Sequence, residues 1–527
     1  MPTRPALPFE ETLNAWFDQA EEARLAGEFD MARTLLDRVI GQDPGHADAL
    51  HAHGLVALAS NQLESAQSWV ERALDVCADP AYYGTLCIVQ IKLRAYARAL
   101  QTAECGLALE PASLPLNFFM AVILQVQGHS EDAAVVYRRL LELQPDHPQA
   151  LVNLGVVVKD LGSLSEAERH LRQAVALAPS YLGARASLSQ VLLAAGRYEE
   201  AWPYFEDRWA NFVDADGRPA SVRPTLPLPQ WKGERLDIAS ASQGMPECGA
   251  RLLVIPEQGH GDSLQFVRYL PMALERFARV GYICPPSLRR LYEESFAHLP
   301  GLVMLDDGLS DLSDWDWHCP LMSLPMAFGT RLDNIPTATY LHADAARSAS
   351  WRARLAMLPD AALPRVGLVW AGGHSGLTED RARSLIPAQI APLLALPNVR
   401  WISLQKTDDP AKRADAASNA RLTDWMDDAT DFADTAALID NLDLVISVDT
   451  SVAHLAAAMG KPVWLLNRFA GCWRWLRDRD DSPWYPSVRL FTQSQRGDWD
   501  GVLERVAEAL RCSTGATYRK SYRSFVR

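Results

Sequence analysis

Asp449, Thr450, Ser451 and His454 crowd into the stretch 443–462, DLVISVDTSVAHLAAAMGKP. An apolar, β-branched run from Leu444 to Val448 stops at Asp449. A small-residue run, Ser451 to Met459, follows; Gly460 then acts as a helix stop, and Pro462 opens a second apolar run. Strand, tight turn, helix, glycine stop and strand make half of a parallel α/β unit. Free backbone N–H groups and the positive end of the helix dipole point into such a turn, so a phosphate-bearing ligand suits it. One carboxylate, two hydroxyls and one imidazole fall within a turn and a half, with Thr450, Ser451 and His454 near one face. Asp449 could equally serve as a plain helix cap, and His454 as a half-buried core histidine.

A second constellation is Pro256-Glu257-Gln258-Gly259-His260-Gly261-Asp262-Ser263. It follows RLLVIPEQ, which reads as a strand, and precedes a helical run from Ser263 to Phe277. Gly259 and Gly261 let the backbone, and Gln258 beside it, pass close to a ligand. Asp262 is placed either to cap the helix or to act as a general base at the carboxyl edge of a sheet, with Glu257 the second candidate. Lys406, ending RWISLQK, Lys461 and Arg383 in RARSL are cations expected beside the 449–454 turn, where they would neutralise phosphate. Asp-x-Asp strings (Asp314/Asp316, Asp478/Asp480, Asp498/Asp500) read as surface acids, and no metal site is expected.

Two kinds of architecture must carry these groups. Alanines recur at Ala32, Ala66, Ala99, Ala133, Ala167 and Ala201, every 33 or 34 residues. Gly27, Asn61, Arg94, Gly128, Gly162 and Gly196 precede them by five positions, and prolines (Pro44, Pro80, Pro111, Pro145, Pro179) close most units. This pattern resembles the tetratricopeptide repeat, a helix–turn–helix whose units stack into an all-α superhelix with a concave groove. The groove is expected to hold a protein or peptide, with Phe118, Gln125, Val152, Asn153, Val156, Lys159 and Gln190 facing it or packed between hairpins. After Trp209 the period breaks into a segment rich in Pro, Gly and Ser. From residue 251 strands and helices alternate in two successive blocks, which predicts two Rossmann-like lobes across a cleft. The expected organisation is a repeat superhelix over 1–212, a linker over 213–248, a first lobe over 249–345 and a connector over 346–362. A second lobe over 363–512 and a basic tail over 513–527 complete it.

The totals exclude several function classes. Fifty-one Lys and Arg against 65 Asp and Glu give a formal charge of −14, so bulk charge does not draw the chain to nucleic acid. No run reaches the roughly 18 apolar residues of a membrane span. Eight scattered cysteines without a CxxC pair read as reduced thiols, and with no signal-peptide pattern the chain is expected to be cytoplasmic.

EQGHGDSLQFVRYLP, RVGLVWAGG, RSLIP, SLQK, DLVISVDTSVAHLAAAMGKPVWLL and WRWLRDRDDSPWYPSVRLF together resemble the heptosyltransferase-like GT-B glycosyltransferases. More narrowly they resemble the branch fused to tetratricopeptide repeats, which includes bacterial flagellin glycosyltransferases. The resemblance implies a nucleotide-sugar donor as co-substrate in the second lobe, an acceptor at the first lobe and no further cofactor. It implies Asp262 as the base and Asp449-Thr450-Ser451-x-x-His454 as the element holding donor phosphates and sugar. Ser451 replaces the family glycine, and the proline that usually follows the first-lobe Asp is displaced to Pro271, so donor or acceptor should differ from a heptosyltransferase's. The expected reaction is metal-independent inverting transfer to a polypeptide, with flagellin as the suggested acceptor. A lipid or saccharide acceptor, or a scaffold with a decayed transferase, are the alternatives.

Overall fold

The structure, a computed structural model, describes residues 8–211, 223–235, 248–308, 311–359, 362–372, 382–407 and 422–513. Two compact units divide between Ala184 and Arg185. The boundary therefore falls inside a repeat helix rather than at the composition break near residue 212.

The repeats form helical hairpins: α1 (Pro8–Ala26) with α2 (Phe29–Gln42), α3 (Ala47–Ala59) with α4 (Leu63–Val76), and α5 (Pro80–Lys92) with α6 (Tyr96–Leu109). They continue as α7 (Leu114–Gln127) with α8 (Ser130–Leu143), α9 (Pro148–Asp160) with α10 (Leu164–Leu177), and α11 (Leu182–Ala194) with α12 (Tyr198–Phe205). Each intra-hairpin turn needs one residue in the left-handed region. Gly27, Asn61, Arg94, Gly128, Gly162 and Gly196 all have positive φ, between 57° and 93°. The six periodic alanines are fully buried. In α10, Ala167, Leu171 and Ala174 line one buried face at helical spacing. Gly155 lets α9 press onto that face, since a Cβ there would come 2.7 Å from Leu171. Pro80 opens α5 at its first turn rather than closing the preceding unit, the helix position where a missing N–H costs least.

Groove-side expectations divide. Val152 is buried. Phe118 stacks on His147, with ring centroids 5.4 Å apart. The Tyr137 hydroxyl donates to Gln125 Oε1 and accepts from Asn153 Nδ2, both at 3.0 Å. These side chains tie successive hairpins together.

The second unit holds two parallel sheets. The first comprises β1 (Cys248–Ile255), β2 (Phe277–Ile283), β3 (Leu302–Leu305) and β4 (Trp317–Pro320), in the order β3-β2-β1-β4. The second comprises β5 (Arg365–Val369), β6 (Arg400–Ser403), β7 (Leu422–Asp424), β8 (Leu444–Val448), β9 (Val463–Asn467) and β10 (Val488–Thr492), in the order β10-β9-β8-β5-β6-β7. That order is doubly wound, and its direction reverses between β5 and β8, where ligands bind in such folds. All five residues of β8 are buried, which accounts for the unbroken apolar run in the sequence. Helix α13 (His260–Phe266) follows β1, and the short α14 (Leu270–Leu274), carrying Pro271 in its first turn, follows a 3₁₀ turn. Helices α15 (Pro286–Ser295), α16 (Leu324–Ala327) and α17 (Ala345–Ala356) lead to the second sheet. There α18 (Pro387–Leu394), α19 (Phe432–Ile439), α20 (Ser451–Ala458) and α21 (Trp499–Ser513) cover it.

Helix α12 and the 3₁₀ turn after it (Arg208–Asn211) pack within this second unit. The Trp202 indole donates to Thr330 O at 2.8 Å, and Tyr198 Oη accepts from the Trp484 indole at 2.9 Å. Arg208 is buried in a bidentate pair with Glu257, both contacts at 2.7 Å. Trp231, within the segment expected as linker, is buried and edge-on to Phe277 and Phe328. Among the described residues no helix is long and apolar enough to cross a membrane.

Candidate active site

The site is built where β1 and β8 end. After β1, Gln258 adopts φ +58°, turning the chain sharply into α13. Gly259 is the N-cap, so Asp262 sits three residues inside the helix rather than capping it. Asp262 Oδ2 reaches back to accept the Gly259 N–H at 3.1 Å. Asp262 Oδ1 accepts from Arg474 Nη2. Glu257 is fully engaged elsewhere: Arg208 holds both its oxygens and the Met322 N–H donates to Oε1 at 2.9 Å. It has no route to a substrate proton, and Asp262 is the only one of the two candidates still partly exposed.

After β8, Thr450 is the N-cap of α20, and its hydroxyl pairs with Ser447 Oγ at 2.9 Å instead of satisfying the helix amides. Asp449 precedes the cap. Its carbonyl accepts from Arg383 Nη1 at 2.9 Å, and its carboxylate lies 3.8 Å from His454 Nε2. Arg383 packs on Gly372 at the end of β5, where a Cβ would come 2.5 Å from its Nε. Lys406 follows β6 at the same sheet edge, and its Nζ donates to Ala429 O at 2.6 Å. The structure thus gathers Asp449, Thr450, Ser451, Arg383 and Lys406 along the carboxyl ends of β8, β5 and β6, at the reversal point.

Lys461 is not with them. Helix α20 runs back along the sheet, so the residue after Gly460 emerges at the opposite edge, where its Nζ pairs with Asp440 Oδ1 at 3.1 Å. Adjacency in sequence to the 449–454 turn misleads here by the length of one helix.

The two turns touch. A Cβ on Gly261 would lie 3.1 Å from His454 Cδ2 and 3.7 Å from Ser451 Cα. The anticipated open gap between the lobes is closed at this point, and a side chain larger than glycine's hydrogen would have to push His454 aside. His454 is buried, stacked on Trp475 (centroids 5.3 Å apart), with Nδ1 paired to Tyr485 Oη at 3.0 Å. Burial, reinforced by the Arg474 charge, pushes its pKa down to about 3. The imidazole is neutral at working pH and acts by hydrogen bonding and packing. Trp473, Trp484 and Tyr485 are buried, Trp473 edge-on to Trp484 and Tyr485 against Trp475 and His454, so they are core aromatics.

Arg474 and Arg268 were not foreseen. Arg268 is buried with four oxygen acceptors: Gln265 O, Pro336 O, Trp484 O and Tyr340 Oη, at 2.8 to 3.0 Å. Arg474 bonds Gln265 Oε1 and Cys472 Sγ besides Asp262. Burial alone would lower its pKa, but Cys472 and Asp262 outweigh that and keep it charged. An arginine set between two tryptophans, Trp473 and Trp475, was the available sequence signal.

A model of glycosyltransferase family 9 (heptosyltransferase) matches residues 412–466, spanning β8, the 449–454 turn and β9. Tetratricopeptide repeat models match residues 17–81, 120–168 and 160–203. The chain joins tetratricopeptide repeats to a glycosyltransferase family 9 domain. Protein FlbA of Caulobacter vibrioides is 28% identical over 531 residues, covering 94% of this chain and 84% of FlbA. Among solved structures, YrrB, a tetratricopeptide protein with an unusual peptide-binding site, is 20% identical and covers 34% of this chain and 96% of its own, with a TM-score of 0.30. PilW, a type IV pilus biogenesis factor, is 18% identical and covers 38% and 94%, with a TM-score of 0.35. The matched segment holds both Asp449, whose carbonyl accepts from Arg383, and Ala429, whose carbonyl accepts from Lys406.

Proposed function

We propose that this glycosyltransferase moves a sugar from a nucleotide-sugar donor to a polypeptide captured by the repeats, with inversion and without a metal ion. The observation that carries the reading is the contact of Gly261 with Ser451 and His454, which sets Asp262 beside the amino end of α20. The donor phosphates lie at the amides after Thr450, near Arg383 and Lys406. Asp262 takes the proton of an acceptor hydroxyl as its oxygen attacks the anomeric carbon. The bond from that carbon to the phosphate oxygen breaks, and its electron pair leaves with the phosphate. Helix amides, Arg383 and Lys406 stabilise the departing charge, which is the role a metal would otherwise fill. The repeats support a protein acceptor, and the resemblance to repeat-fused flagellin transferases supports flagellin as that protein.

Thermal-shift titration with ADP, GDP, UDP, dTDP and CMP tests the donor half. A ligand at 100 times its Kd should stabilise the fold by about 2.7 kcal/mol. A flat response to every nucleotide and nucleotide sugar overturns the reading. Sugar transfer to purified flagellin, undiminished in excess EDTA, tests the rest. Transfer only to lipid or saccharide would replace the acceptor, and loss in EDTA would replace the mechanism.

A further inference from the structure

Arg474 belongs to the second lobe by sequence, yet its guanidinium ends against a first-lobe carboxylate. It lies over the Trp473 ring at 4.7 Å and the Phe266 ring at 5.6 Å. Its three nitrogens are spent in three directions: Nε on Gln265 Oε1, Nη1 on Cys472 Sγ at 3.0 Å, and Nη2 on Asp262 Oδ1. A planar fork stacked on aromatic faces and bonded at every nitrogen has no rotational freedom left. Asp262 is thereby held from both sides, by Arg474 on Oδ1 and by the Gly259 N–H on Oδ2. The same guanidinium lies close enough to His454 to help keep that imidazole neutral.

We propose that Arg474 is the positioning residue for the base: it fixes the Asp262 carboxylate relative to the donor lobe, so that proton removal is aligned with bond breaking at the phosphate. This rests on the assignment of Asp262 as base. Ordinary packing would not need a buried charge at this place. A buried pair is weak support for stability, and an apolar substitute is often as good. An arginine from one lobe that ends on the carboxylate of the other is, by contrast, a direct means of orientation.

The test is a double-mutant cycle on the full-length chain. The readout is incorporation of radiolabelled sugar into acid-insoluble material, in an extract of the source organism lacking its own copy. Asp262→Asn should lower the rate by about 100-fold or more. Arg474→Gln should lower it by a similar factor, roughly what a misplaced catalytic group costs. The double variant should be no slower than Asp262→Asn alone, because Arg474 acts only through that carboxylate. Arg474→Lys keeps charge but not the fork, so it should fold and recover only part of the rate, which covers the case in which Arg474→Gln does not fold. Full activity in Arg474→Lys, or additive losses in the double variant, overturns the proposal while leaving Asp262 in place. Unchanged activity in Asp262→Asn overturns the base assignment itself.

Discussion

A Cβ added to Gly261, in the first turn of α13 after β1, would lie 3.1 Å from the ring of His454, on the helix that follows β8. Two turns from two different sheets share one small volume, and hydrogen stands in for a side chain at residue 261. Gly261→Ala would set a Cβ 3.1 Å from the imidazole, tight enough that His454 must shift by a few tenths of an ångström. Gly261→Val cannot be accommodated that way. Overpacking of this kind typically costs about 1–3 kcal/mol. Denaturant titration should show a small loss for alanine and a larger one for valine, with transfer activity falling in the same order.

The cations at the sheet edge should separate by position. Lys406→Met and Arg383→Gln each remove a charge from the edge that carries Thr450 and Ser451, and a charge-assisted hydrogen bond is worth about 1.5–3 kcal/mol. Titration with whichever nucleotide shifts the melting temperature most should weaken about 10-fold to 100-fold for either variant. Lys461→Met, at the far edge against Asp440, should leave that titration unchanged.

Acid should destabilise the protein partly through His454. Its pKa is about 3 in the folded state and near 6.5 when unfolded. Between those values the unfolded chain binds a proton that the native one does not, so stability falls as pH drops from about 6.5 toward 3. His454→Gln removes this contribution. A plot of melting temperature against pH should therefore be shallower for the variant below pH 6, the remaining slope coming in part from other histidines whose pKa burial lowers, such as the half-buried His51 and the buried His53.

Where the transferase unit begins can be read by truncation. A chain starting at residue 182 keeps Tyr198, Trp202, Phe205 and Arg208 and should fold and retain nucleotide binding. One starting at residue 211 leaves Glu257 buried without Arg208, which costs about 3–5 kcal/mol. Circular dichroism melts should show a cooperative transition for the first and none for the second.

How much of this was legible depends on whether a residue acts locally. The turn positions of the repeats could be placed from the sequence because a left-handed residue five places before a buried alanine is a short-range requirement. Strand β8 and the helix opening at Ser451 could be placed because an apolar run and a helix start are local too, although the cap is Thr450 and not Asp449. Lys461 was misplaced because its edge depends on the direction of a helix already traversed. Glu257 looked like a base until Arg208, 49 residues upstream, occupied both of its oxygens. The flanking tryptophans marked Arg474 as a residue to watch, but not its partner, which is 212 residues away. Asp262 was seen, but its place inside α13 was not, since Gly259 gives no side-chain capping signal.

The anchoring of α12 through Trp202 and Tyr198, and of the turn after it through Arg208, has a geometric corollary. Any mark on the outer surface of that helix stays at a constant span from Asp262, with no slack to tune. A polypeptide acceptor of the kind proposed above, if gripped there, would be measured as if against a ruler, so the residue that receives the sugar should lie at a set number of positions from the gripped stretch. Inserting or deleting a few residues between the two would move the modification along the guest rather than abolish it.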